Sequence, residues 1–278
     1  MLVSSKNMLA DAKANKYAIP APDYTDSNSA KAFCEVAEEL GKPMILSFAE
    51  HHLDLCGLED AAAIGKFYAE KSSVPICLHF DHGYTFDLIE KAIKCGATSV
   101  MIDASAFDYE ENVKRTKAVV ELAHAYGVHT EAEIGHVGTE DETEADTIHA
   151  KMSTYYTEVD VLKRFVNDTN VDSVAVSIGT SHGKYKGTPV IAFDRLAELN
   201  AAVNIPLVLH GGSGSGDDNL TRCALGGISK VNLYTDFISA AIDAAKENLP
   251  DNWIKLQKQG TEAMKEVLRR YYKVFRCI

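Results

Sequence analysis

Residues 75–103 read PICLHFDHGYTFDLIEKAIKCGATSVMID. Pro75–Phe80 is a short apolar run of strand type. Thr85–Cys95 carries apolar residues at helical spacing, and Gly96 is placed to close that helix. Thr98–Ile102 is a second apolar run. Two strands joined by a helical crossover lie parallel, because only antiparallel neighbours can be joined by a tight turn. Between the first strand and the helix stands a polar knot, Asp81-His82-Gly83, where a mere connection needs no such residues.

The same alternation runs outward in both directions. Upstream, strands are expected near Tyr17–Pro20 and at Met44–Ser47. Helices are expected at about Asn28–Leu40, capped by Ser27 or Asn28, and at about Leu58–Lys71. Downstream, the strands are Val128–Ile134, Asp172–Ser177, Pro206–His210 and Ile228–Leu233. The helices are Glu110–Tyr126, about Val159–Asp168, around Phe193–Asn200, near Asp218–Leu225, about Asp236–Asn248 and about Trp253–Lys273. The acidic stretch Gly135–Thr154 reads as a long loop.

Eight strands alternating with helices in 278 residues point to an α/β fold of the (β/α)8 TIM barrel type, whose usual length is about 250 residues. The competing open, doubly wound sheet lacks its G-x-G-x-x-G after the first strand. No linker or low-complexity segment interrupts the pattern, so residues 1–278 are expected to form a single domain.

Composition narrows the function. The chain has 28 Lys and Arg against 40 Asp and Glu, a formal net charge of −12. Affinity for nucleic acid or an anionic membrane needs clustered positive charge, so neither is an expected partner. No run of about eighteen apolar residues suggests a membrane span. The first twenty residues lack the apolar core and cleavage site of a secretory signal. The six cysteines are scattered without a C-x-x-C pair and read as reduced thiols of a cytoplasmic protein.

In a barrel of this type the chemistry sits where strands end. The third strand ends in His79-Phe80-Asp81-His82-Gly83 and the fourth at Asp103. The fifth ends at Glu131, Glu133 and Gly135. The sixth ends in Gly179-Thr180-Ser181-His182-Gly183, and the seventh in His210-Gly211-Gly212-Ser213-Gly214. The eighth ends in Asn232, then Thr235-Asp236. His82, His182 and His210 each close a different strand beside a glycine. Three neutral imidazoles converging there suit one Zn²⁺ with a position left open for substrate. His79 lies on the same side of its strand as Asp81 and is expected to support the site from behind. His51 and His52 are close enough to reach the mouth, whereas His124 and His129 are not. The glycine-rich turn after the seventh strand and the Asn232–Thr235 segment suit a phosphate group, held by backbone N–H groups and hydroxyls.

Taken together these motifs resemble the class II, metal-dependent ketose-bisphosphate aldolases, the fructose- and tagatose-1,6-bisphosphate enzymes. The resemblance runs through Tyr17-Ala18-Ile19-Pro20-Ala21, Leu78–Gly83, Ser99–Asp103, Glu131–Gly135, Gly179–Gly183, Val208–Gly214, Lys230–Asp236 and Ala263–Val267. It implies a zinc ion on His82, His182 and His210. It implies that Asp81 takes the proton of the C4 hydroxyl during cleavage, while zinc polarises the ketone and steadies the enediolate. Glu140 would exchange the proton at C3 of dihydroxyacetone phosphate. Asp103 and Glu133 resemble residues that hold the metal at an alternative, deeper position. Gly183, Gly211, Ser213, Asn232 and Thr235 match positions that hold the phosphate end. Carbonyls near His182 and Gly211 hold a monovalent cation in relatives, and relatives are homo-oligomers, dimers or tetramers.

Three departures stand out. The family usually reads Phe-Asn where this chain has Pro22-Asp23. A Ser or Thr usually follows the second strand, where this chain has Phe48-Ala49-Glu50-His51. The motif Gly-Gly-x-Glu-Asp is here one residue shorter, Gly138-Thr139-Glu140-Asp141, which leaves Glu142 as a second candidate for the loop acid. Two other readings use the same fold. A Schiff-base aldolase would need Lys230 or Lys184 as its amine, and a non-catalytic sugar-phosphate binder would need only the phosphate cradle.

Overall fold

The strands are buried on both faces, with apolar residues towards the helices and at the barrel foot and paired polar residues in the upper interior. The computed structural model describes residues 1–135, 137, 156–183, 185, 187 and 189–278. Among these, eight parallel strands form one sheet: β1 (Ile19–Pro22), β2 (Met44–Ala49), β3 (Ile76–Gly83), β4 (Ser99–Ile102), β5 (His129–Ile134), β6 (Ser173–Val176), β7 (Leu207–Leu209) and β8 (Ile228–Leu233). Their order around the sheet is β1-β8-β7-β6-β5-β4-β3-β2. The seam between β1 and β2 is closed by a parallel bridge from Asp23 to Ser47, with the Tyr24 N–H donating to the Ser47 carbonyl at 2.9 Å. The expected barrel is therefore present.

The surrounding helices are α1 (Ser5–Asn15), α2 (Ser27–Leu40), α3 (Leu58–Lys71), α4 (Phe86–Lys94), α5 (Tyr109–Ala125), α6 (Val159–Thr169), α7 (Phe193–Ala202), α8 (Asp217–Gly226), α9 (Thr235–Glu247) and α10 (Trp253–Val274). Most turn an apolar stripe towards the sheet, whereas α9 buries only Phe237 and packs on α10. Ile89, Ala92 and Ile93 form that stripe on α4, and Leu162 and Phe165 on α6. At the foot of the barrel Met8, Leu9 and Ala12 of α1 meet Ile19, Ala21, Ile45 and Cys77, and so plug the open end. Higher inside, Met101, Ala175 and Val208 form a small apolar layer below the polar mouth. Tyr271, Tyr272 and Phe275 are buried by α10 against its own chain, whereas Trp253 at its start is exposed.

Several boundaries differ from those read in the sequence. The first strand is Ile19–Pro22, two residues later than expected. The α2 cap is Asp26, not Ser27 or Asn28: Asp26 accepts from the Ser29 N–H at 2.7 Å in a reciprocal capping box. The α1 helix was not anticipated. The third strand continues past Phe80 to Gly83, with a register shift on its β4 side. All six cysteines are free, and no helix of the described residues is long and apolar enough to cross a membrane.

Candidate active site

Side chains on a strand alternate between the barrel interior and the helical shell. On β3 this puts Cys77, His79 and Asp81 inside, and would send His82 outwards. The register shift between Phe80 and Gly83 and a left-handed His82 backbone, φ +46°, turn it inwards instead. A non-glycine residue held there costs about 1–3 kcal/mol, a strain typical of functional positions. On β5 the alternation brings Glu131 and Glu133 to the interior together. His210 follows β7 directly, and His182 lies on the connection after β6.

These elements bring His82, His182 and His210 to one point, with a ring nitrogen of each within 4.8 Å of the others. His82 Nε2 and His210 Nδ1 are 2.9 Å apart. Each of these two rings is braced from behind. His82 Nδ1 lies 2.9 Å from Asp103 Oδ2, and His210 Nε2 lies 2.9 Å from Glu131 Oε1. Such outer carboxylates fix the orientation of a ligating imidazole. The Nε2 of His182 is buried without a hydrogen-bond partner among the described residues. A buried histidine cluster with an orphaned nitrogen fits a divalent cation. His82, Asp103 and Glu133 form a second cluster of the same dimension, in which Glu133 Oε2 is also without a partner among the described residues. Asp103 is itself held by the Ser105 N–H and hydroxyl, at 3.1 and 2.8 Å.

Burial alone would lower the pKa of His82, but the carboxylates of Asp81, Asp103 and Glu133 outweigh it and raise it to about 10. A metal ion and a proton therefore compete for His82. Burial and the charge of His82 push both His182 and His210 down, towards the neutral form a ligand needs. Burial, reinforced by Asp103, raises Glu133 to about 8.

Asp81 lies beside this cluster, with its Oδ2 3.8 Å from His82 Nε2. Burial would raise its pKa, but His82, the hydrogen bond from His79, His210 and Lys230 together hold it well below the usual carboxylate range. The Asn232 amide donates to both Asp81 oxygens, at 2.9 and 2.8 Å. Asn232, expected at the phosphate end, is thus joined to the carboxylate. Beneath Asp81 runs a buried chain that sequence reading did not assemble. Lys230 Nζ lies 2.7 Å from Glu131 Oε2 and 3.1 Å from His79 Nε2, and His79 Nδ1 lies 2.9 Å from Ser99 Oγ. His79, Asp81 and Glu131 have metal-like spacing, but the Lys230 ammonium is already their counter-ion. The available signal was the i, i+2 pairing of Glu131 with Glu133 and of His79 with Asp81.

The turn after β7 is shaped by its glycines. Gly211 has φ +65°, and a Cβ there would stand 2.3 Å from the Ser181 carbonyl oxygen. The Gly211 carbonyl accepts from the Ser215 hydroxyl at 2.8 Å and lies 2.9 Å from the Tyr185 hydroxyl. Ser213 Oγ accepts from the Tyr234 and Asp236 N–H groups at 3.2 and 3.3 Å, which ties the turn to the start of α9 at Thr235. Gly183, Gly211, Ser213, Asn232 and Thr235 all line one cavity of about 850 Å³, together with Asp81, His82, His182, Asp103 and Glu133, while His210 is fully buried. His51, His52 and Asp23 line it too. His124 pairs with Asp172, and His129 is buried at the start of β5, both away from the cavity. Glu140, Glu142 and Lys184 lie outside the described residues.

Known proteins resemble this chain in sequence and fold. The profile of the family described as fructose-bisphosphate aldolase class-II matches residues 3–278. The YdjI aldolase of Escherichia coli K12 is 33% identical with a TM-score of 0.89, covering 99% of this chain and 97% of its own. A provisionally assigned fructose-1,6-bisphosphate aldolase of Coccidioides immitis is 26% identical with a TM-score of 0.86, covering 98% and 95%. The fructose-bisphosphate aldolase of Campylobacter jejuni, at 24% identity and a TM-score of 0.82 over 100% and 96%, shares the fold. With the family's profile matched over nearly its whole length and the YdjI aldolase 33% identical over 99% of it, this chain belongs to the class II fructose-bisphosphate aldolase family.

Proposed function

We propose that this protein is a zinc-dependent aldolase. It would reversibly cleave a ketose bisphosphate, fructose 1,6-bisphosphate or tagatose 1,6-bisphosphate, to dihydroxyacetone phosphate and glyceraldehyde 3-phosphate. The observation that carries the reading is the convergence of His82, His182 and His210 next to the ionised Asp81. The three histidines would hold the ion, with Asp103 and Glu133 as its alternative position. Bound there, zinc supplies a Lewis acid for the substrate's ketone oxygen.

The protein's own groups account for the proton movements. Asp81 takes the proton of the C4 hydroxyl as the C3–C4 bond breaks, and C4 leaves as the aldehyde. The electron pair of the bond stays with the three-carbon fragment. A proton then delivered to C3, the role proposed for Glu140, completes dihydroxyacetone phosphate. The Asn232 amide keeps the Asp81 carboxylate aimed, and His79 and Lys230 help keep it charged. Gly183, the Gly211–Ser213 turn and the first turn of α9 at Thr235 would hold the phosphate of the ketone end through N–H and hydroxyl donors.

Lys230 is a poor candidate for Schiff-base chemistry. It is 1% exposed and ion-paired to Glu131, whereas a nucleophilic lysine must be neutral and open to substrate. A cytoplasmic setting is supported by the six free cysteines. A dimer or tetramer is supported by the exposed Trp253 and Ile254 at the start of α10.

A cleavage assay with coupled detection of dihydroxyacetone phosphate tests the proposal. Chelation abolishes turnover and added zinc restores it; full activity of the metal-free protein would refute the reading. Asp81→Ala keeps its metal by elemental analysis and loses about 10²–10⁴-fold in turnover. His82→Ala loses the metal as well.

A further inference from the structure

Asp23 is a buried carboxyl with an unmet hydrogen bond. It follows β1 at the barrel seam, clamped by its own N–H to the Leu233 carbonyl at 3.0 Å and by the bridge to Ser47. Its side chain lines the cavity at 7% exposure, and Oδ1 has no hydrogen-bond partner among the described residues. Strand pairing puts Asp23 near Asp81: its bridge partner Ser47 is two residues before Ala49, which lies opposite Asp81, and Asn232, opposite Ala21 on β8, donates to both Asp81 oxygens. On the proposed reading Asp81 meets the C4 hydroxyl, and the next hydroxyl on the aldehyde half is that of C5.

The chemistry of the missing partner follows from the carboxyl. Burial and the Asp81 charge raise the Asp23 carboxyl well above the usual carboxylate range, so it accepts a hydrogen bond and, when protonated, also donates one; a hydroxyl, which does both, complements it. Among the described residues the cavity is lined by Asp23, Asp81, Asp103 and Glu133 and by no Lys or Arg. A hydroxyl meets this wall on better terms than an anion does. The neighbouring His52 also has a buried Nδ1 without a partner, with its ring 4.1 Å from that of Tyr234. This side of the cavity is therefore built for hydrogen bonding.

We propose that Asp23 accepts a hydrogen bond from the substrate hydroxyl adjacent to the cleaved carbon, the 2-hydroxyl of the aldehyde product, and so selects 2-hydroxyaldehydes. The inference rests on the aldolase reading above and goes beyond it by naming the group that reads the aldehyde half. A site that hydrogen-bonds a substrate hydroxyl discriminates strongly against the analogue lacking it, because its own polar group is then left unpaired.

The test is the condensation of dihydroxyacetone phosphate with glyceraldehyde or with 3-hydroxypropanal, which lacks only the 2-hydroxyl. The zinc-loaded protein should prefer glyceraldehyde in kcat/KM by at least about a hundredfold. Asp23→Ala should bring that preference below about tenfold, while Asp23→Asn, which keeps the shape and an acceptor oxygen, should retain most of it. Wild-type rates within about threefold for the two aldehydes overturn the inference without recourse to any variant. An unchanged preference in Asp23→Ala overturns it equally. Condensation with neither of these aldehydes nor with glyceraldehyde 3-phosphate removes the aldolase reading itself, an outcome distinct from condensation with both alike.

Discussion

Lys230 shows how much of the site depends on charges never exposed to substrate. Its ammonium sits between Glu131 and His79, 3.9 Å from Asp81, and all four side chains are buried. Removing one partner of a buried ion pair leaves an uncompensated charge, at about 3–5 kcal/mol. Lys230→Met should therefore lower the melting temperature sharply and disturb His210 through Glu131. Lys230→Met with Glu131→Leu should recover part of that loss, because the orphaned carboxylate goes too. A wild-type melting temperature in Lys230→Met would show that the pair is not what holds this layer. His82 and Glu133 make a pH prediction. Their pKa values rise to about 10 and about 8, above ordinary values of about 6.5 and 4.3. The folded, metal-free protein thus binds more protons than the unfolded chain between pH 7 and 9. The contribution of His82 is fully present below pH 6.5 and is lost as pH rises through its folded value, and the Glu133 term runs the same way. The chelated protein should melt at a lower temperature at pH 9 than at pH 7, as read by differential scanning calorimetry; a higher one would contradict the assignment.

At the scale of elements, the alternation of apolar runs was enough to place eight strands, and three polar strand ends were enough to gather the histidines. Two things were hidden. The α1 helix has a weak apolar stripe, and it becomes a plug only because Met8 and Leu9 meet residues of three distant strands at the barrel foot. The inward turn of His82 needs a register shift and a left-handed backbone, which neighbour sequence alone does not encode. The Asn232–Asp81 and Lys230–Glu131 contacts join residues about a hundred or more positions apart, visible only once the barrel closes. The glycines after β7, by contrast, were legible and carry a sharp test. Gly211→Ala asks an L-residue to adopt φ +65° with its Cβ 2.3 Å from backbone. The turn must shift, since the atom in the way is a carbonyl and not a mobile side chain. Inorganic phosphate binding by calorimetry should be lost while zinc is retained on the histidines. Unchanged phosphate affinity would place the anion elsewhere.

The whole molecule carries −12 charges and is expected to take an anionic substrate. The two facts meet in the kinetics of encounter. Beyond about 8 Å at physiological ionic strength the field of surface carboxylates is screened, but at low salt it reaches about 30 Å. The described cavity lining holds no Lys or Arg to focus an anion, so on the proposed reading capture would fall to short-range donors: backbone N–H groups of the Gly211–Ser213 turn, the start of α9 and a bound metal. Short-range donors do not steer a distant ligand, whereas net charge does. For a bisphosphate, kcat/KM should therefore rise by a factor of about 2–10 as salt goes from 0.01 to 0.15 M, since screening relieves the repulsion. A 1-monophosphate should show a smaller rise, and KM for the uncharged glyceraldehyde in the reverse direction should barely move. A kcat/KM for the bisphosphate that falls with salt would mean that a positive field outside the described lining guides the substrate, and that the acidic surface is irrelevant to capture.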